Sequence, residues 1–166
     1  MKAIVYRSNT GYTKKYAELL AQKTSLPAYE LKEAEKAPAK GEDIIYLGWL
    51  SAGSLIGYKK AAKTWDVKAV CAVGMGGPTS NQLPGIVKKH KIESARTFYL
   101  QGGFDLKKLH GIYKFMMIMM IKTVVPSMEK KADKTEDDIA ALDMFRNGGD
   151  CVREENLDQI LEWLNA

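Results

Sequence analysis

Residues 43–49, Asp-Ile-Ile-Tyr-Leu-Gly-Trp, are apolar almost without a break. A strand with one wet face alternates apolar and polar side chains, whereas a run like this one belongs to a strand covered on both sides. Such strands occur in parallel sheets, whose crossover connections lay helices over both faces. Residues 67–73, Val-Lys-Ala-Val-Cys-Ala-Val, repeat the pattern, and shorter strand-like runs stand at 3–6, 27–31 and 95–100. Helical spacing fills most of the gaps. Residues 12–23 set Tyr16, Leu19, Leu20 and Lys23 on one side and leave Lys14, Lys15 and Glu18 to solvent. Residues 32–42 read as a polar connection, 56–64 as a short helix, and 80–90 as a weaker helix with Pro84 and Gly85 near its start. Strands alternating with helices predict an α/β domain with five parallel strands and right-handed crossovers.

The pattern changes after the fifth strand. Residues 106–125 read as a helix ended by Pro126. Thr135-Glu136-Asp137-Asp138 looks like a helix start, with the acidic pair as helix-start charge, and Gly148-Gly149 looks like a stop. Residues 156–164 form a last helix with Leu157, Ile160, Leu161 and Leu164 on one face. With 166 residues the chain suits one domain, 1–166, carrying a helical insertion over 104–134.

Charge and cysteine usage narrow the function classes. The net charge is +5. Residues 104–134 hold seven lysines against Asp105, Glu129 and Asp133, a net +4, so the other positions together carry +1. This excess sits beside the run 115–121, Phe-Met-Met-Ile-Met-Met-Ile, rather than among aromatic platforms or along a reading helix. That points away from nucleic acid and toward an apolar partner or a membrane surface. Cys71 and Cys151 form no CxxC pair, which suits a reducing compartment. Met1 leads straight into a strand with no signal-peptide core, and seven apolar residues in a row fall short of the roughly 20 that span a bilayer. The expectation is a cytoplasmic protein, peripheral to the membrane at most.

Three segments fall where strands end, which is where open parallel sheets bind ligands. The first is Ser8-Asn9-Thr10-Gly11-Tyr12-Thr13, between the first strand and the first helix. Its hydroxyls, an amide and a glycine turn can wrap a phosphate, helped by the helix N-terminus. An ordinary hydroxyl helix cap is the competing reading. The second is Leu50-Ser51-Ala52-Gly53, with Trp49 before it read as core. The third is Gly74-Met75-Gly76-Gly77-Pro78, whose glycines either expose backbone N–H groups to a ligand or form a plain turn. Cys71 reads as a packed strand residue, and His90 and His110 as surface residues. No residue pattern calls for a metal or for a catalytic acid or base.

Tyr6-x-Ser8-x-Thr10-Gly11-x-Thr13 after a first strand resembles the phosphate loop of the flavodoxins. The resemblance implies strand order 2-1-3-4-5 and FMN as cofactor. It implies binding by Ser8, Asn9, Thr10, Gly11, Tyr12 and Thr13, with Leu50, Ser51, Ala52, Gly53, Gly74, Met75, Gly76 and Gly77 about the ring. The second segment departs from the family in lacking a proline and in placing Ser51 near the usual aromatic. The third lacks the aspartate that often follows. A basic, apolar helical stretch after Gln101-Gly102-Gly103-Phe104-Asp105 is similar to the branch that includes the quinone-linked protoporphyrinogen dehydrogenases. On that resemblance the partners are a redox protein or a small apolar substrate, quinone-like or porphyrinogen-like. A non-enzymatic electron carrier and a flavin-free interaction module stay open beside it. The stretch 104–134 itself reads either as a core helix with methionine as filler or as a cover that meets lipid or substrate.

Overall fold

Ile4 and Val5 are neighbours in the chain and both fully buried, yet they enter different cores. A pleated strand sends successive side chains to opposite faces, so burying both requires cover on each side. The computed structural model, which describes residues 1–34, 37–77 and 81–166, supplies that cover. Strands β1 (Ala3–Arg7), β2 (Ala28–Glu30), β3 (Asp43–Ser51), β4 (Ser54–Leu55), β5 (Asp66–Gly74) and β6 (Thr97–Gln101) form the central sheet. Its order is β2-β1-β3-β5-β6 with every neighbour parallel, and β4 pairs antiparallel with the end of β3. Helices α1 (Tyr12–Thr24), α2 (Tyr58–Thr64) and α3 (Leu83–His90) connect the strands. Tyr16, Ala17 and Leu20 of α1 close one face, and Ala61 of α2 with Ile86 of α3 close the other. The molecule is a mixed α/β fold on a mostly parallel sheet.

The strand numbering departs from the expected 2-1-3-4-5 because β4 enters the count. Ser51 pairs with Ser54 across the two-residue turn Ala52-Gly53, in which both residues have positive φ (47° and 67°). That is the mirror-image turn whose twist suits a hairpin, and it normally takes Asn-Gly. Alanine at the first position hides the signal. Pro78 of the third loop and Ser80, the expected start of the third helix, lie outside the described residues.

Beyond β6 the chain makes β7 (Gly103–Phe104), α4 (Gly111–Lys130), α5 (Glu136–Asn147), β8 (Gly149–Asp150) and α6 (Asp158–Asn165). β7 and β8 pair antiparallel, and Ile160 of α6 joins the α1 face of the core. The turn from Asp105 to Lys108 delays α4 to Gly111. There Lys107 N–H donates to the Asp105 carboxylate (2.9 Å) and Lys108 N–H to the Asp105 carbonyl (3.1 Å). Pro126 does not end α4, contrary to expectation. It removes the bond that its N–H would give the Lys122 carbonyl and crowds that oxygen with its ring, but Lys122 is exposed, so water can serve the carbonyl. α5 starts and stops as expected. Thr135 Oγ1 accepts from Asp138 N–H (3.2 Å), the Asp138 carboxylate accepts from Thr135 N–H (2.9 Å), and Gly148 follows the last turn.

At α4 one of the two readings of 104–134 is set aside and one expectation fails. No residue of this helix is buried, so it is not a core helix. Its length and mean hydropathy of 1.2 are also sufficient to cross a membrane, whereas the seven-residue apolar run suggested that no segment was long enough. Counting unbroken apolar residues stopped at Lys114 and Lys122, while the hydropathy averages over them.

Candidate functional site

β1, β3, β5 and β6 all run the same way, so the loops that follow them meet at one sheet edge. The loop after β1 is built without spending its threonines. Ser8 Oγ accepts from Gly11 N–H at 3.1 Å. Gly11 then caps α1 with φ 96°, a conformation that favours glycine, and no side chain caps the helix. Among the described residues the hydroxyls of Thr10 and Thr13 have no hydrogen-bond partner. The reading of these hydroxyls as ordinary helix caps therefore does not describe α1. Arg7 takes no part, because its guanidinium is engaged by Glu30 at 2.6 Å.

Beside this loop lies a groove with a narrow and a wide end. A cavity of about 80 Å³ is lined by Asn9, Thr10, Tyr12, Thr13, Gly102, Gly103, Phe104 and Asp105. A cavity of about 380 Å³ is lined by Ser51, Ala52, Gly53, Gln82, Tyr113, Met116 and Met120. Trp49, Leu50, Gly74, Met75, Leu109 and Met117 line both. The wide end is within the size range of small-molecule sites. Its character is apolar, and α4 forms one wall through Tyr113 and its methionines. Tyr113 meets Trp49 edge to face at 4.9 Å between ring centres.

At the narrow end Tyr12 is buried, and Lys15 and Lys108 lie 5.8 and 5.4 Å from its ring centre. Burial first, and then the carboxylates of Asp150 and Asp105, push the Tyr12 phenol up, so it remains a neutral donor. Asp105 would oppose an anion here, but Lys108 lies 3.8 Å from its carboxylate and Lys107 N–H donates to it. Gly103 leaves no room for a side chain, since a Cβ would come within 2.3 Å of the Gly149 carbonyl and 2.6 Å of the Tyr12 ring. That close approach holds β7 against the groove floor.

Of the residues singled out from the sequence, Asn9, Thr10, Tyr12, Thr13, Leu50, Ser51, Ala52, Gly53, Gly74 and Met75 come together on the groove. Ser8 and Gly11 shape its loop instead of lining it. Gly76 and Gly77 follow beyond Met75, and Tyr99 Oη donates to the Gly76 carbonyl at 2.9 Å. Three expectations need correction. Trp49 is half-buried on the groove and outside both buried cores, because β3 continues past it to Ser51 and carries it to the groove, where it meets Tyr113 of α4. His90 is not a free surface residue, since its Nε2 accepts from Leu55 N–H at 3.0 Å and its ring meets Tyr58 edge to face. The segment 102–109 was missed as a lining element, although Gly102-Gly103 follows a strand end just as the other loops do. The wall from α4 agrees with one of the two readings of 104–134, a helix that covers the site, and not with the core-helix reading.

The sequence matches none of the protein-family models and none of the curated proteins with which it was compared.

Proposed function

We propose that the chain is a cytoplasmic, FMN-dependent oxidoreductase of the flavodoxin-like class. The observation that carries the reading is the loop 8–13. It places two unspent hydroxyls, a left-handed glycine and an uncapped helix N-terminus at the narrow end of an apolar groove. Phosphate recognition needs those groups. Strand order supports it as well. With β4 set aside, the five parallel strands run 2-1-3-4-5, an order that binds FMN where β1 and β3 diverge. The α4–α5 stretch then corresponds to the helical insertion of the quinone-linked branch.

On this reading Thr10, Thr13 and the backbone of the 8–13 loop hold the phosphate. Leu50 to Gly53 flank the ring on one side, and Gly74 to Gly77 meet its polar edge. Bound flavin supplies one- or two-electron transfer. The chain's own residues do the rest. Trp49, Tyr113 and Met117 exclude water, and the neutral Tyr12 phenol stays a donor beside the phosphate loop. The methionine wall suits a small apolar substrate, quinone-like or porphyrinogen-like, more than a polar one.

The test is a titration of the purified apoprotein with FMN and with riboflavin, which lacks the phosphate. Thr10→Val removes a hydrogen bond to a charged group, so FMN affinity should fall roughly ten- to a hundredfold while riboflavin affinity holds. Absence of flavin binding, or equal losses for both ligands, refutes the assignment. Bleaching of the loaded protein by a reduced apolar substrate separates an enzyme from a carrier.

A further inference from the structure

We propose that the outward face of α4 is a docking surface for an anionic lipid bilayer, with the helix lying in the plane of the headgroups. The inference does not depend on what fills the groove. Ile112, Phe115, Met116 and Met119 fall on one side of α4 at helical spacing, and Ile112 and Phe115 are 63% and 62% exposed. Such a cluster on a helix without one buried residue calls for cover from outside the chain.

Three observations choose the cover. Lys122 and Lys130 belong to the same exposed side, and neither makes an ion pair among the described residues, so the face pairs apolar bulk with free positive charge. That combination suits a surface of acyl chains and phosphates. A second copy of the chain fits less well, since a two-fold contact would set these lysines against like charge. Crossing the membrane fits less well again. Lys122 would lie near mid-bilayer, and α5, which packs on α4 and carries Glu136, Asp138, Asp143 and Arg146, would have to enter with it. An in-plane helix keeps α5 and the sheet on the wet side and leaves the wide end of the groove, shared through Met116, beside the lipid.

The experiment uses the full chain and vesicle flotation. Phosphatidylcholine vesicles containing phosphatidylserine should carry the protein, pure phosphatidylcholine should carry far less, and added salt should release it. Lys122→Glu with Lys130→Glu should weaken anionic binding by at least about thirtyfold. Phe115→Ser with Met119→Ser should weaken it as well, with circular dichroism unchanged in both variants. Equal binding to both vesicle types, binding to neither, or indifference to both variant pairs overturns the proposal. So does a concentration-dependent dimer that the Phe115 pair abolishes, and so does retention in alkaline carbonate, which marks a spanning helix.

Discussion

Tyr16 is fully buried beneath α1, and its hydroxyl joins three parts of the chain. It donates to the Gln101 carbonyl at the end of β6 and accepts from Asn156 Nδ2, which itself reaches the Cys151 carbonyl at 3.1 Å. Tyr16→Phe keeps the ring and its apolar contacts, so the loss is almost wholly that of hydrogen bonding. Two neutral bonds at about 0.5–1.5 kcal/mol each, with the Gln101 carbonyl left short of a donor, give an expected cost of about 2 kcal/mol. For a chain of this size that corresponds to a melting temperature lower by roughly 4–8 °C. Urea unfolding followed by circular dichroism should show a lower midpoint at unchanged slope. Asn156→Ala should cost less, and the double variant should fall short of the sum by about 1 kcal/mol, because both single changes remove the same bond. A Tyr16→Phe loss below about 0.5 kcal/mol, or strict additivity with Asn156→Ala, would refute the idea that this hydroxyl ties β6 to the returning chain.

His90 predicts a pH dependence. Burial, then the charges of Lys89 and Lys59, hold its pKa below the usual 6.5, and its Nε2 must stay unprotonated to accept from Leu55. Because the folded pKa lies below the unfolded one, stability is full above about pH 6.5 and falls as the pH drops toward the folded value. His90→Gln keeps an acceptor without a titrating group, so its urea midpoint should change less between about pH 7.5 and about 5 than that of the parent. At the hairpin turn, Ala52 holds φ 47° without the tolerance of asparagine for this region. Ala52→Asn should raise stability by about 0.5–1 kcal/mol, read as a higher urea midpoint, and a lower midpoint would show that the alanine side chain is needed there.

The sheet was legible because double burial leaves a plain trace. Ile44, Ile45, Tyr46 and Leu47 are all buried, and only a strand covered on both faces needs four apolar residues in succession. The loops after β1, β3 and β5 were legible for a related reason, since strand ends in a parallel sheet share one edge. Features set by local exceptions were not. β4 depends on an alanine in a conformation that alanine seldom adopts, and α4 continues through a proline because the carbonyl it orphans faces water. The placement of Trp49 depended on where β3 stops, two residues past the expected end. The methionine run of α4 left two readings open, core filler or cover, and only the docked helix, which lines the groove and buries no residue, chose the cover.

Phe104 and Gly149 pair across the β7–β8 ribbon, and Cys151 N–H donates to the Gly102 carbonyl at 2.8 Å beside it. The long excursion through α4 and α5 therefore leaves and rejoins the domain at a single doorstep. Nothing in the central sheet is threaded through it. A chain built this way can lengthen, shorten or exchange everything between those two residues while the strands behind them keep their register. The same doorstep abuts Tyr12 at the narrow end of the groove. The helix that walls the wide end of the groove is thereby hinged to the domain beside a position where a side chain on Gly103 would not fit.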